Sequence, residues 1–392
     1  MGLFDKIVRD YLGPARDLES HFSFLNRSAR TEFQRVRDIL EQWFNNFPAS
    51  GKNDLQGRFR SDDNRQHLRA FFELYCYALI CHQGFAIELH PSADPEKTTH
   101  PEFLVRRGGE PAFYLECTLA AESDVDCAAQ ARLNQVYEAL NRLKSPNFWV
   151  GVLIKNAPQH SPSASRMRSF LEKQFQELDP DEMSEIMTTQ DLSALPRWTW
   201  NDSGWEIVFF PIPKSPEARN KPGVRPIGVI SYEPRWVDSQ RSLLNALKSK
   251  TSRYGNLDYP YIIAVNALDI FVDEIDIADA LFGKEHFHVN IQTGKFEASR
   301  SPDGLWVGPQ GPRNRRISAV LIVSQLVPWA IAARTPVLWH NPWANKELEP
   351  DLWQGPQMVL DLRTSTMERR DGSKAWEILR LPPDWPIFEE RQ

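Results

Sequence analysis

The sequence predicts an α/β fold: a mixed central sheet flanked by helices, preceded by N-terminal helices and followed by a β-rich C-terminal extension. Three observations predict it. Apolar residues recur at helical spacing through the N-terminal part of the chain. From Ser61 to Ile154 the pattern changes repeatedly, in the order helix, strand, strand, strand, helix, strand. Beyond about residue 286, short apolar runs alternate with Gly, Pro and Asn turn signals.

The elements follow in order. Phe33, Val36, Leu40, Trp43 and Phe47 form one stripe, which predicts an amphipathic helix over Ser28–Phe47. Pro48–Asn53 reads as a loop. Ser61, Asp62 and Asp63 offer capping oxygens to a second helix, striped by Leu68, Phe71, Phe72, Tyr75 and Leu79 and stopped at Gly84. A strand over Phe85–Leu89 precedes a β-hairpin over Pro101–Leu119, with Gly108-Gly109 as its turn. A helix over Ala128–Lys144 and a strand over Phe148–Ile154 complete the expected core pattern.

The domain reading is an N-terminal helical segment over 1–60, a core over 61–285 with an insertion at about 156–225, and a β-rich extension over 286–392. A helix over Val237–Arg253 leads into the apolar strand Tyr261–Val265. Ala319–Val323, Val337–Trp339, Met358–Leu362 and Trp376–Leu381 are the expected strands of the extension. The apolar run Ile317–Ala333 is broken by Ser318, Ser324, Gln325 and Pro328, so it reads as a buried strand and turn.

Composition narrows the function classes. With 41% hydrophobic and 25% charged residues the chain reads as globular rather than disordered. The net charge of −6 does not announce a nucleic-acid binder, although a locally basic cleft is compatible with it. Cys76, Cys81, Cys117 and Cys127 form no C-x-x-C pair, so neither a zinc ribbon nor a redox motif is expected. Reduced thiols and no signal-peptide pattern after Met1 predict a cytoplasmic protein. No P-loop, G-x-G-x-x-G, G-x-S-x-G or H-E-x-x-H motif occurs.

The chemistry concentrates between Phe71 and Thr118. Glu73 sits in an apolar helix, Glu102 opens one hairpin strand and Glu116 lies on the other. Register decides whether Glu102 and Glu116 meet. A two-residue Gly108-Gly109 loop pairs 101 with 116 and puts the two glutamates on opposite faces. A three-residue loop, or an equivalent bulge, pairs 102 with 116 and sets them side by side, roughly 5 Å apart at Cβ. Two adjacent carboxylates repel unless a cation neutralises them, and oxygen donors of this kind suit Mg²⁺ or Mn²⁺.

This arrangement resembles the PD-(D/E)XK nuclease superfamily. The resemblance covers roughly Ser61–Ile154 and rests on Phe71-Phe72-Glu73 in the helix, His100-Pro101-Glu102 before the strand and Glu116-Cys117-Thr118 on the next strand. It implies a restriction-endonuclease-like core, a hydrolase acting on DNA phosphodiester bonds and a setting in restriction or phage defence. A homodimer or a partner protein of a defence system belongs to the same expectation. It also implies that Glu102 and Glu116 bind the metal and that Glu73 orients water or a second metal. Thr118 stands where the family has a lysine. Lys155, Lys248 and Lys250 are candidate substitutes, and Arg132 and Gln135 are further groups to consider.

Arg106 and Arg107 at the hairpin, and Arg313, Arg315 and Arg316 further on, are candidate nucleic-acid contacts, since arginine clusters suit phosphates. His286 and His288 share a strand face but lack an evident third ligand. The competing expectation is a nuclease-like module that has lost catalysis and keeps the fold for binding. The missing lysine and the acidic net charge favour it.

Overall fold

The computed structural model describes residues 2–16, 18–92, 99–120, 124–190, 192–220, 226–232, 239–251, 253–254, 257–268, 272–289, 296–364 and 366–388. The chain divides into two compact units. One comprises Met1–Gly13, Ser20–Glu122 and Asp238–Gln392, and the other comprises Pro14–Glu19 and Ser123–Val237.

The first unit opens with α1 (His21–Arg27), α2 (Thr31–Asn46), α3 (Ala49–Phe59) and α4 (Asn64–His82). The Asp63 side chain caps α4 by accepting from the Arg65 N–H at 2.9 Å. The expected loop at Pro48–Asn53 is instead the start of α3. Only Pro48 lies outside that helix, and proline is at home beside a first turn, where amide donors have no partner anyway.

Next come β1 (Ala86–Leu89), β2 (Phe103–Arg107) and β3 (Glu110–Ala120). The chain then builds the second unit from α5 (Asp124–Asn141), β4 (Phe148–Asn156), α6 (Ala164–Gln176), α7 (Pro180–Gln190), β5 (Trp198–Asp202), β6 (Trp205–Pro213) and β7 (Ile227–Tyr232). The first unit resumes with α8 (Ser239–Lys248), β8 (Tyr261–Ala267), α9 (Glu274–Phe282), β9 (Glu285–Val289) and β10 (Phe296–Arg300). It closes with β11 (Val307–Gly308), β12 (Gly311–Pro312), β13 (Ala319–Ser324), β14 (Val337–His340), β15 (Gln357–Asp361), β16 (Thr366–Arg370) and α10 (Ala375–Ile378).

Eight strands of the first unit form one mixed sheet in the order β1-β2-β3-β8-β13-β14-β15-β16. β1, β2 and β3 are an antiparallel meander, whereas β3, β8 and β13 run parallel. A parallel neighbour cannot be reached through a tight turn, so β3 connects to β8 by a crossover whose last helix is α8.

Both faces of this sheet are covered. Phe113, Leu115 and Cys117 of β3 and Ile262 and Ala264 of β8 join Phe71, Phe72 and Tyr75 of α4 in one cluster. Tyr114 of β3 and Tyr261, Ile263 and Val265 of β8 join Leu243 and Leu247 of α8 in another. Two covered faces explain why Tyr261–Val265 of β8 reads as a continuous apolar run rather than an alternating one. By the two-residue period of a strand, Glu116 and Thr118 share the α8 face with Tyr114.

Several expectations are corrected here. The helix and strand expected at 128–144 and 148–154 fall in the second unit, where Leu140, Val150, Val152 and Phe209 pack in a cluster of their own. The interruption of the first unit therefore spans Ser123–Val237 rather than about 156–225. Periodicity marks each element as amphipathic but says nothing of which sheet receives its apolar side. The C-terminal strands β13–β16, expected as a β-rich extension packed on the core, continue the main sheet itself. The N-terminal helices likewise share its first cluster, through Phe22, Phe33 and Trp43. The expected strand Trp376–Leu381 holds the short helix α10, whose first turn is closed by the Lys374 N–H donating to the Glu377 carboxylate at 2.6 Å. Among the described residues, no helix is long and apolar enough to cross a membrane.

Candidate active site

The hairpin places the first two glutamates. Gly108 and Gly109 have φ of +61° and +92°, the left-handed conformation that a two-residue turn of this hand demands. Arg107 accordingly faces Glu110. That register alone would separate the glutamates. A bulge intervenes: Arg106 faces Pro111 but Val105 faces Phe113, so Ala112 is the unpaired residue. Beyond it Phe103 faces Leu115, which brings Glu102 level with Glu116.

Two backbone-to-carboxylate bonds lock the pair. The Glu102 N–H donates to Glu116 Oε2 at 3.3 Å, and the Cys117 N–H donates to Glu102 Oε2 at 2.6 Å. Glu116 is only 1% exposed. Its Oε1 accepts from Lys250 Nζ at 2.5 Å and from Arg253 Nη1 at 3.1 Å, and its Oε2 accepts from the Tyr254 hydroxyl. Lys250, Arg253 and Tyr254 all follow α8, the helix that covers the Glu116 face of the sheet. Burial and the Glu116 carboxylate push the Tyr254 phenol well up, so it remains a donor at neutral pH.

Glu102 has no such cation of its own. Its residue is half-buried while its carboxyl end points inward, and that burial, with the Glu116 and Glu73 charges, pushes it up to about 8. This predicts a measurable slope in stability. The unfolded chain releases this proton near 4.5 and the folded protein holds it to about 8. Between those values the folded state binds more protons, so stability in chelator-containing buffer should fall as pH rises and level off above 8. Glu102→Gln should flatten the slope in urea unfolding across pH 5 to 8.5 (roughly the span between the two values). An unchanged slope in that variant would assign it to another group.

Glu73 stands apart from this pair. It lies on α4, on the opposite face of the sheet, and its Oε2 is 2.8 Å from Arg58 Nη1. Arg58 also grips Asp54 at 2.6 Å. Burial pushes the Glu73 carboxyl up and Arg58 pulls it back. Among the described residues, no hydrogen bond joins Glu73 to Glu102 or Glu116, and it acts on Glu102 through charge. Thr118 is buried on the Glu116 face, beside Val265 of β8. Of the candidate lysines, Lys250 is the one that touches Glu116. Lys155, Arg132 and Gln135 belong to the second unit.

The arginine candidates separate by position. Arg106 pairs with Glu88 at 2.7 Å, and Arg107 is at the hairpin tip. At strand rise they lie roughly 13–16 Å along β2 from Glu102. Arg313 and Arg315 hold backbone carbonyls of Gly304 and Trp343, at 3.0 and 2.8 Å. Arg316 Nη1 donates to the Tyr254 carbonyl at 2.6 Å, which ties it to the residue that touches Glu116. His286 Nε2 is 2.5 Å from Ser301 Oγ.

Arg253 and Tyr254 are the groups that sequence reasoning missed. They stand at i+3 and i+4 from Lys250, a helical spacing, but all three lie beyond the last residue of α8. Periodicity therefore gave only a weak signal for them.

The two carboxylates are the donor type that a hard divalent cation takes, with both Glu116 oxygens held by protein donors here. The set is all oxygen, and the charge on Glu102 that burial resists is one that a cation would compensate. Among the described residues, no group of three or more His, Cys, Asp or Glu side chains converges. Two carboxylates still suffice for Mg²⁺, which keeps several waters and takes remaining ligands from substrate phosphates. Comparisons with protein-family models, with curated proteins and with solved structures find no match to this chain.

Proposed function

We propose that this protein is a metal-dependent nuclease that hydrolyses phosphodiester bonds in DNA, with a restriction-endonuclease-like core. One observation carries the reading: the Ala112 bulge sets Glu102 beside Glu116, and Lys250 meets that pair from a neighbouring element. The order helix, three-stranded meander, crossover helix and parallel strand, formed by α4, β1–β3, α8 and β8, supports it. In this reading α8 and β8, rather than α5 and β4, complete the core.

Glu102 and Glu116 would hold Mg²⁺ or Mn²⁺. Such an ion supplies Lewis-acid stabilisation of the phosphoryl oxygens and lowers the pKa of its water. Lys250 replaces the lysine absent at Thr118 and orients the attacking water by donating to it. Arg253 and Arg316 are exposed and lie along one run of contacts from Glu116 through Tyr254, which suits a phosphate backbone. Glu73 sets the charge around Glu102 from the far side of the sheet.

The test is cleavage of single- and double-stranded DNA and of RNA, with Mg²⁺ or Mn²⁺, by wild type and by Glu102→Gln. Loss of the carboxylate should slow cleavage by about 10²–10³-fold, the equivalent of several kcal/mol of transition-state stabilisation. Equal rates in the two proteins would reject the assignment.

A second reading has its own observation. Both oxygens of Glu116 are already engaged by protein donors, as in a site that keeps the fold and has given up the metal. A binding module of this kind should show no rise in melting temperature with Mn²⁺, whereas a working site should show one that grows with concentration.

A further inference from the structure

Resting on the reading of Glu102 and Glu116 as a cation site, we infer that Arg253 is a phosphate-released latch, so that divalent metal and nucleic acid bind to this protein cooperatively.

The argument begins with unequal burial around one carboxylate. Glu116 and Lys250 are both enclosed, with side chains 1% and 11% exposed. The Arg253 side chain is 47% exposed, yet its Nη1 reaches the same Glu116 oxygen that Lys250 holds. Lys250 and the Tyr254 hydroxyl are built into the interior, whereas Arg253 closes the site from the solvent side. Arg253 is therefore the ligand of Glu116 that can leave without exposing a buried charge.

A guanidinium also has an alternative partner of higher complementarity. Its planar fork matches a phosphate bidentately, and a phosphodiester brings its own negative charge. Arg316 donates to the carbonyl of Tyr254, the residue after Arg253, so a backbone phosphate drawn to that rim finds two exposed guanidinium groups. When Arg253 turns to the phosphate, Glu116 Oε1 loses one of its two cationic partners. It then has capacity for a metal, and the phosphate oxygens provide ligands that two carboxylates lack. In the free protein the reverse holds, because Arg253 competes with the metal for the same oxygen.

Linkage makes this reciprocal: whatever factor the nucleic acid adds to metal affinity, the metal adds to nucleic-acid affinity. Coupling of about 5–150-fold is the usual range for such a mechanism. The predicted substrate is an anionic phosphodiester chain, and its sugar plays no part in the latch.

The experiment is a Mn²⁺ titration followed by electron paramagnetic resonance of free Mn²⁺, with and without an uncleavable phosphorothioate duplex. Wild type should bind Mn²⁺ at least about fivefold more tightly with the duplex present. Arg253→Gln should bind Mn²⁺ more tightly than wild type in the absence of duplex, and the duplex should add little further. Coupling that persists in Arg253→Gln, or affinity in wild type that ignores the duplex, overturns the latch and leaves the metal site standing. If wild type, Arg253→Gln and Glu116→Gln all fail to bind Mn²⁺ with or without duplex, the metal site itself is rejected and the latch with it.

Discussion

Replacing Glu116 with alanine is expected to destabilise the folded protein by about 3–5 kcal/mol and to abolish the proposed nuclease activity. The stability loss follows from what is left behind. Lys250 is almost wholly enclosed, and without Glu116 its ammonium has no opposite charge at hydrogen-bond distance among the described residues. An uncompensated buried charge costs more than the intact pair contributed, which is why deleting one partner is worse than deleting both. Arg253 adds little to the loss because water can solvate it. The Tyr254 hydroxyl also loses its acceptor. Urea unfolding measures the first effect and single-turnover cleavage the second. Glu116→Gln separates them: it keeps the hydrogen-bonding shape and should retain more stability than alanine while remaining inactive. An alanine variant as stable as wild type would mean that the Glu116 and Lys250 charges are not buried together.

Removing the lysine should give the second large effect. Lys250→Met keeps much of the volume and eliminates the buried ammonium, while Glu116 remains held by Arg253 and Tyr254. The fold should therefore survive it better than Glu116→Ala. Cleavage should fall by about 10²–10³-fold if Lys250 positions the attacking water, within the usual range for a proton-handling group. The double variant Lys250→Met, Thr118→Lys tests the substitution directly. Thr118 lies two residues beyond Glu116 on the same face of β3, so a lysine there approaches the carboxylates from the strand instead of from the α8 side. Recovery of at least about tenfold over Lys250→Met would tie the two positions to one role. Full activity in Lys250→Met alone would remove Lys250 from the reaction.

The glutamates show how far a linear reading reaches. The Glu102–Glu116 pairing was reducible to a single condition, a three-residue loop or a bulge. The two positive-φ glycines would have satisfied the shorter loop by themselves. Ala112 supplies the bulge, and nothing in its side chain announces it, because a bulge is stabilised by how both strands pack and not by local propensity. Lys250 was one of several lysines on equal terms. Its selection depended on α8 packing across the Glu116 face, a contact between residues more than a hundred positions apart in sequence. Glu73 is legible as a polar group in an apolar helix, but its ion pair with Arg58 is not, since Arg58 lies on α3, a separate helix whose first residues have loop-like composition.

What the sequence determined by itself was local: the apolar periods of α2, α4 and β8, the glycine turn between β2 and β3, and the identity of the two carboxylates that share a hairpin. These follow from side-chain spacing and backbone permissiveness within a few residues. What only the tertiary structure decided was which elements share a sheet. It set α5 and β4 in another unit, carried the C-terminal strands into the main sheet, and brought Lys250, Arg253 and Tyr254 onto Glu116. An amphipathic segment specifies that one side must be buried and leaves open against what. That choice is made by the packing of the whole chain, where a buried carboxylate is tolerated only if cations and donors from distant segments reach it.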